Sequence, residues 1–424
     1  MNHFELRDGV LTCEGVSLAA LAEAVGTPVY VYSTATLERH YTVFRDAMRG
    51  VGKGEPLIAY AVKANSNLSV LSTLAALGAG ADTVSEGEVR RALAAGVPPQ
   101  RIVFSGVGKS DQELAFAIDA GVAEINIESE PEFERLRKIA AAKGARPAIA
   151  FRVNPDVAAG GHAKIATGKA DNKFGVSMAE AERLYAMASN DAHVRPVGVT
   201  CHIGSQITDL GPLEAAYGKM RRLVERLRAE GLSVERLDLG GGLGVPYFDH
   251  PAPPPPAALA DVIKRALGDL EVELAFEPGR VIAANAGVLL SRVIHIHERP
   301  EGPRFLVLDA AMNDLIRPAM YEAYHDIVPV RAADPAHPKL AYDVVGPICE
   351  TGDTFARERL LPPLKAGDLV AFLSAGAYGA SMSSEYNSRL LAPEVLVRGD
   401  AFAVVRPRPT FEDMLAREPL APWL

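Results

Sequence analysis

From about residue 30 onward, apolar positions come in short unbroken runs, separated by stretches in which they recur every three or four residues. The runs PLIAYAVK, GADTVSE, RIVFSG, EINIES, RPAIAFRVN, PVGVTCHIGS, RLDLGGG and ELAFEPGR read as strands that are apolar on both faces. Between them EGEVRRALAAG, SDQELAFAIDAG, EPEFERLRKIAAAKG and LEAAYGKMRRLVERLRAEG carry helical spacing, and several end on a glycine suited to a C-cap. TATLERHYTVFRDAM precedes the first strand and supplies an eighth helix. Eight βα units predict an α/β architecture, a parallel (β/α)8 TIM-type barrel of roughly 250 residues. A doubly wound open sheet is the alternative, because a sequence does not show closure. The tract HPAPPPPAALA at 250–260 reads as a stiff surface loop before a helix.

Past residue 285 the texture changes. GVLLSRVIHIHE, RFLVLDAAM, AYDVVGPICETGD, DLVAFLSAGAY and PEVLVRGDAFAVV are strand-like, with turn residues between them and little helical period. The first 30 residues share that texture, with an RDG turn between FEL and VLTCEG. The expected organisation is therefore an N-terminal β segment (1–30) that pairs with a C-terminal β domain (286–424), flanking a barrel over 31–285.

Composition narrows the function. The chain has 424 residues and a net charge of −9, and its basic residues form no run beyond pairs such as those in MRRLVERLR, which argues against nucleic acid as a partner. No apolar run approaches the length of a membrane span. Cys13, Cys201 and Cys349 are too few and too scattered for a zinc site or a disulfide framework, so a reducing cytoplasm is the expected compartment.

Parallel barrels gather reacting groups at the C-terminal ends of their strands. Here those ends carry Lys63, then His202 with Ser205, then Gly240, Gly241 and Gly242, then Glu277, Pro278, Gly279 and Arg280. Each has a plain reading alone: a snorkelling lysine, a satisfied core histidine, a turn, a Glu277–Arg280 ion pair. Together on one rim they favour a site. A glycine turn opening toward a helix suits a phosphate, and the usual phosphate position in such barrels follows strands seven and eight. A lysine amine can form a Schiff base with an aldehyde, a histidine can stack on a ring, and a carboxylate can keep a ring nitrogen protonated. That set describes pyridoxal 5′-phosphate (PLP), an electron sink for chemistry at an amino acid's α-carbon. A cofactor-free Schiff-base aldolase is the alternative, with less need of the glycines and the acid.

YAVKAN, CHIGSQI, LDLGGGLGV, EPGR, GPICETGD and AYGASMSSEYN, in this order, closely resemble the diaminopimelate decarboxylase family. That family is one of the barrel-type PLP decarboxylases, alongside ornithine and arginine decarboxylases, and is more distantly similar to alanine racemase. The resemblance covers nearly the whole chain; YAVKAN and EPGR alone would indicate only the superfamily. One departure, after EYNSR, falls on a β-domain strand. The resemblance implies that Lys63 holds PLP, that His202 stacks on its ring, and that Ser205, the Gly240–Gly242 turn and Tyr378 meet its phosphate. It implies that Glu277 contacts the pyridine nitrogen, with the backbone of Pro278, Gly279 and Arg280 close by the cofactor. Arg280, Arg317, Tyr321, Glu350 and Tyr378 would bind substrate, and Cys349 would return a proton to the α-carbon. It further implies a homodimer with shared sites, Cys349 and Glu350 reaching in from the other subunit.

The expected reaction is decarboxylation of meso-2,6-diaminopimelate to L-lysine and CO2. The distal end of that substrate carries a carboxylate and an ammonium, for which two arginines and Glu350 are complementary. An unpaired distal charge would cost about 1–3 kcal/mol or more, enough to discriminate against ornithine. The plain alternatives are a structural salt bridge for Arg317 and an inert buried thiol for Cys349. Rival functions are another basic amino-acid or carboxy-polyamine decarboxylase, a racemase, and a non-catalytic regulatory relative.

Overall fold

The structure, a computed structural model, describes residues 3–158, 168, 172–247 and 252–424. The eight apolar runs become eight strands: β1 (Leu57–Ala61), β2 (Gly80–Thr83), β3 (Ile102–Phe104), β4 (Glu124–Ile127), β5 (Ala148–Arg152), β6 (Arg195–Thr200), β7 (Arg236–Asp238) and β8 (Glu273–Phe276). All pair in parallel with their sequence neighbours, and β8 returns to β1 through Ala275–Leu57 and Phe276–Ile58. The barrel is therefore closed, which excludes the open sheet. β1 and β2 are buried at every position, as a strand lined inside by barrel side chains and outside by helices must be.

The helices lie where the spacing places them, and their ends follow from side-chain chemistry. SDQELAFAIDAG folds as Asp111–Ala120, closed at its start by a capping box between Ser110 and Glu113 and at its end by Gly121 in the left-handed region. Such an N-cap is worth about 1 kcal/mol. The run EPEFERLRKIAAAKG ends the same way, Glu130–Lys143 stopping at Gly144 with φ +62°. In the tract 250–260, helix Pro256–Leu267 begins at Pro256; His250 and Pro251 lie outside the described residues.

Main-chain bonds beyond the strands tie the rim together. Cys201 N–H donates to Asp238 O at 3.0 Å, Glu277 N–H to Gly240 O at 2.7 Å, and Ala61 N–H to Pro278 O at 3.1 Å. The ends of β6, β7, β8 and β1 thus form one continuous shelf.

The chain divides into two compact units, the barrel unit spanning 38–246 and 250–282. The other unit takes in the chain up to Leu37, Tyr247, and everything from Ala283 to Leu424. Among its described residues is a mixed nine-stranded sheet with the central order Thr354–Leu361, Leu340–Val345, Phe305–Leu308, Gly287–His297, Val29–Ser33, Glu394–Arg398, Ala401–Arg406. PEVLVRGDAFAVV proves to be a hairpin, reversing at Gly399 with φ +58°. The RDG turn joins Phe4–Arg7 to Val10–Cys13 in a separate three-stranded sheet. Leu11, Cys13, Leu18 and Leu21 from this segment pack in one apolar cluster with Val29, Val288 and Val395 of the large sheet.

Candidate active site

In the barrel unit, Lys63 does not end a strand: β1 stops at Ala61 and Lys63 sits in a 3-10 turn, Val62–Ala64, that turns its side chain off the strand path. The register sets Ala61 beside Asp82, and the Lys63 ammonium hydrogen-bonds the Asp82 carboxylate. Asp82 is fully buried, and its second oxygen has no partner among the described residues. The sequence reading missed this residue; the only signal was an acid inside the otherwise apolar GADT run.

His202 follows β6, and its Nδ1 accepts the Gly241 N–H at 3.2 Å, which leaves the ring proton on Nε2. Burial first, then the positive charges of Arg152 and Lys63, hold the ring's pKa down to about 3, so the imidazole is neutral. Asp238, at the end of β7, accepts the Gly240 N–H at 2.7 Å. Two of the three glycine amides are therefore taken internally. The turn itself admits no side chain: a Cβ at Gly241 would lie 2.2 Å from Glu277 O, and one at Gly240 would lie 2.4 Å from Cys201 O.

The Glu277 carboxyl is pushed well above the usual range by burial, then by the Asp238 and Asp82 charges, with Lys63 and Arg152 opposing. Arg280 does not pair with it as the plain reading had it; the buried guanidinium donates to Ser205 Oγ at 3.1 and 3.3 Å. Gly279 packs against the β1 end, where a Cβ would touch Ala61 and Ala64 at 3.0 Å. Asp238, also missed, is raised to about 7 by burial and by Glu124.

The other sequence-predicted residues lie in the second unit. Arg317 opens the short helix Arg317–Tyr321 and is buried, which places Tyr321 one turn on. Its Nη1 meets His325 Nε2 at 2.7 Å, while His325 Nδ1–H donates to Leu373 O at 2.9 Å. The guanidinium also lies over the Tyr247 ring, 4.7 Å from its centroid. Tyr378 has φ +56°, a left-handed conformation that costs a bulky residue energy and is held only where the surroundings dictate it. Cys349 and Glu350 are both exposed, so the inert buried thiol is excluded. Their loop is pinned from beneath by Asp353, buried, whose two oxygens accept the Ile348 and Met312 N–H groups at 2.7 Å each. Asp353 lies within the quoted GPICETGD motif, yet sequence gave no hint of this clamp.

The barrel rim fits a phosphorylated pyridine aldehyde. It offers one lysine amine beside an acid, a neutral imidazole with a fixed ring, a desolvated carboxyl able to meet a ring nitrogen, and a Ser205–Arg280 pair with hydrogens for an anion. The unsatisfied buried oxygens of Asp82 and Asp238 mark it as built for polar occupancy. Among the described residues no group of three or more His, Cys, Asp or Glu side chains could hold a metal ion.

Residues 34–284 match the family described as the pyridoxal-binding domain of pyridoxal-dependent decarboxylases. Fold and rim together define a PLP-dependent decarboxylase of the kind that joins a parallel barrel to a β domain. Over 422 residues the chain is 48% identical to the diaminopimelate decarboxylase of Zymomonas mobilis, covering 99% of each, and 49% identical to that of Pseudomonas aeruginosa, covering 100% of each. The structure of diaminopimelate decarboxylase from M. jannaschii in complex with L-lysine superposes with a TM-score of 0.94, at 37% identity over 100% of both chains. The chain belongs to the diaminopimelate decarboxylase family. Among the described residues no helix is long and apolar enough to cross a membrane.

Proposed function

We propose that the protein decarboxylates meso-2,6-diaminopimelate to L-lysine, with the barrel rim holding PLP and the second unit reading the substrate's far end. The observation that carries the barrel half is the Lys63 amine held against buried Asp82 on the same shelf as Glu277. Bound there, PLP supplies the electron sink for the pair left at the α-carbon when CO2 departs.

The remaining work belongs to the chain. Lys63 would hold the cofactor through its amine, which buried Asp82 keeps in place. His202, neutral and fixed by Gly241, presents a ring face that adds no charge beside the cofactor ring. Glu277, with Pro278 and Gly279 shaping its turn, holds a proton at the ring nitrogen. Ser205, the Gly240–Gly242 turn and Tyr378 meet the phosphate; since Gly240 and Gly241 spend their amides internally, the turn's part there falls to Gly242. Arg280, Arg317, Tyr321, Tyr378 and Glu350 bind substrate. A planar guanidinium donates two bonds to the distal carboxylate, and Glu350 pairs with the distal ammonium. Cys349 gives its thiol proton to the α-carbon.

A homodimer completes the reading: Cys349 and Glu350 of one copy serve the barrel of the other, and their exposure in a single chain supports it. A reducing, cytoplasmic compartment suits a free proton-donating thiol. The purified protein with PLP should release CO2 from meso-diaminopimelate at least about a hundredfold faster than from ornithine or arginine, the factor given by about 3 kcal/mol of unpaired charge. Equal or greater release from ornithine or arginine would overturn the substrate assignment.

A further inference from the structure

Asn387 sits in a turn to which no role was assigned from sequence. Its Oδ1 accepts the Cys349 N–H at 3.2 Å and the Cys349 Sγ–H at 3.3 Å. The backbone donor identifies that atom as the amide's carbonyl oxygen. Asn387 has φ +56°, and Ser388 follows at +55°. Asparagine is one of the few L residues that enters this region cheaply, so the turn suits it twice, by backbone and by acceptor. On one side of it the Tyr386 phenol hydrogen-bonds Glu350, whose charge pushes the phenol's pKa up. One residue further back, Glu385 is held by Arg417, with 2.7 Å to each carboxylate oxygen. Three consecutive side chains thus fasten the turn to Arg417, Glu350 and Cys349.

We propose that Asn387 is a positioning residue for proton return, setting the direction of the Cys349 thiol, while Tyr386 beside it sets Glu350. The inference rests on the reading of Cys349 as the proton donor. In that step the S–H bond breaks, a C–H bond forms at the carbon that CO2 has left, and the thiolate regains a proton from water. An unrestrained thiol samples three side-chain rotamers, whereas one tethered through both N–H and S–H is held in a single orientation. Orientation of this kind acts on the chemical step, not on binding. Tyr386, by contrast, holds a group that meets the substrate's far end, so its loss acts on binding.

The test uses steady-state kinetics of the PLP-loaded enzyme on meso-diaminopimelate, and iodoacetamide labelling of the cofactor-free protein. Cys13 and Cys201 are buried, so labelling of the native protein reports Cys349. Asn387→Gly keeps the left-handed backbone accessible and removes only the acceptor. It should lower kcat about tenfold, a part of the about 10²–10⁴-fold that a general acid contributes, with KM nearly unchanged, and should shift the Cys349 labelling rate about threefold or more. Tyr386→Phe should raise KM and leave kcat and labelling close to wild type. Cys349→Ala should be slow alone, and adding Asn387→Gly to it should cost little more. Wild-type kcat and labelling in Asn387→Gly, or losses that multiply with those of Cys349→Ala, would overturn the positioning role while leaving the Cys349 reading intact. Normal turnover by Cys349→Ala would remove that reading and the inference with it.

Discussion

His202 shows how one side chain's surroundings reach the pH behaviour of the whole barrel. Its folded pKa, about 3, lies below the ordinary 6.5 because burial and the cations Arg152 and Lys63 disfavour the imidazolium. In the unfolded chain the ring takes a proton below 6.5, so the unfolded state binds more protons between 6.5 and 3, and stability is lost as pH falls through that window. At pH 5.5 the loss is about 1 kcal/mol. We expect His202→Asn, compared with wild type as cofactor-free protein in denaturant titrations, to lack this loss: the wild-type midpoint should fall toward the variant's as pH drops from 7 to 5. A gap that stays constant with pH would show that the ring is not desolvated. At this scale legibility was uneven. Lys63, His202, Gly240–Gly242 and Glu277 could be picked out because each follows an apolar run whose end the sequence marks. Asp82 could not, since its meaning lies in a register that puts Ala61 beside it and brings the Lys63 amine within reach. Asn387 is 38 residues from the thiol it holds, and no local pattern announces such a pair.

The strands and their turns were legible wherever burial left a continuous apolar run. Seven of the eight barrel strands fall wholly inside the runs read from the chain, and β6 starts one residue earlier at Arg195, because a strand covered on both faces has few polar positions to interrupt it. Thr354–Leu361 went unread for the opposite reason: ARERLL alternates charges on an exposed edge of the sheet and looks like a loop. Ile327–Pro329, three residues long and ending in proline, is too short to carry a period. The triple-glycine turn is the element on which strand ends and site depend jointly. Gly241 has ordinary backbone angles, so the requirement there is space alone: its missing Cβ leaves room for the Glu277 carbonyl. Gly241→Ala must push β7 away from β8 or strain the turn, and overpacking of this kind costs about 1–3 kcal/mol. Since the Gly241 N–H also fixes His202, the same substitution should weaken PLP binding, measured by absorbance titration, in parallel with a lowered thermal midpoint. Unchanged cofactor affinity in a destabilised protein would separate the turn from the site.

On the scale of the whole molecule, the two groups of residues have opposite surroundings. The barrel set is recessed and desolvated: Asp82 and Arg280 are buried, and Glu277 and Asp238 are raised by burial before any other cause. The set from the second unit divides, with Arg317 buried and Cys349 and Glu350 exposed. The exposure of Cys349, the proposed proton donor, in one chain is consistent with the proposed homodimer, in which a second copy would cover it. In the proposed homodimer, closed twofold pairing would make that arrangement reciprocal, each copy lending its Cys349 to the other's barrel. The consequence is a complementation that no single-chain site allows. Lys63→Ala and Cys349→Ala should each be almost inactive alone. Mixed in equal amounts and allowed to exchange subunits, they form hybrids in about half the dimers, and each hybrid carries one site with both residues intact. Activity should then rise to about a quarter of wild type, the value that random pairing of two protomers gives. If each site were built within one chain, every hybrid site would lack either the lysine or the thiol, and the mixture would stay as inactive as its parts.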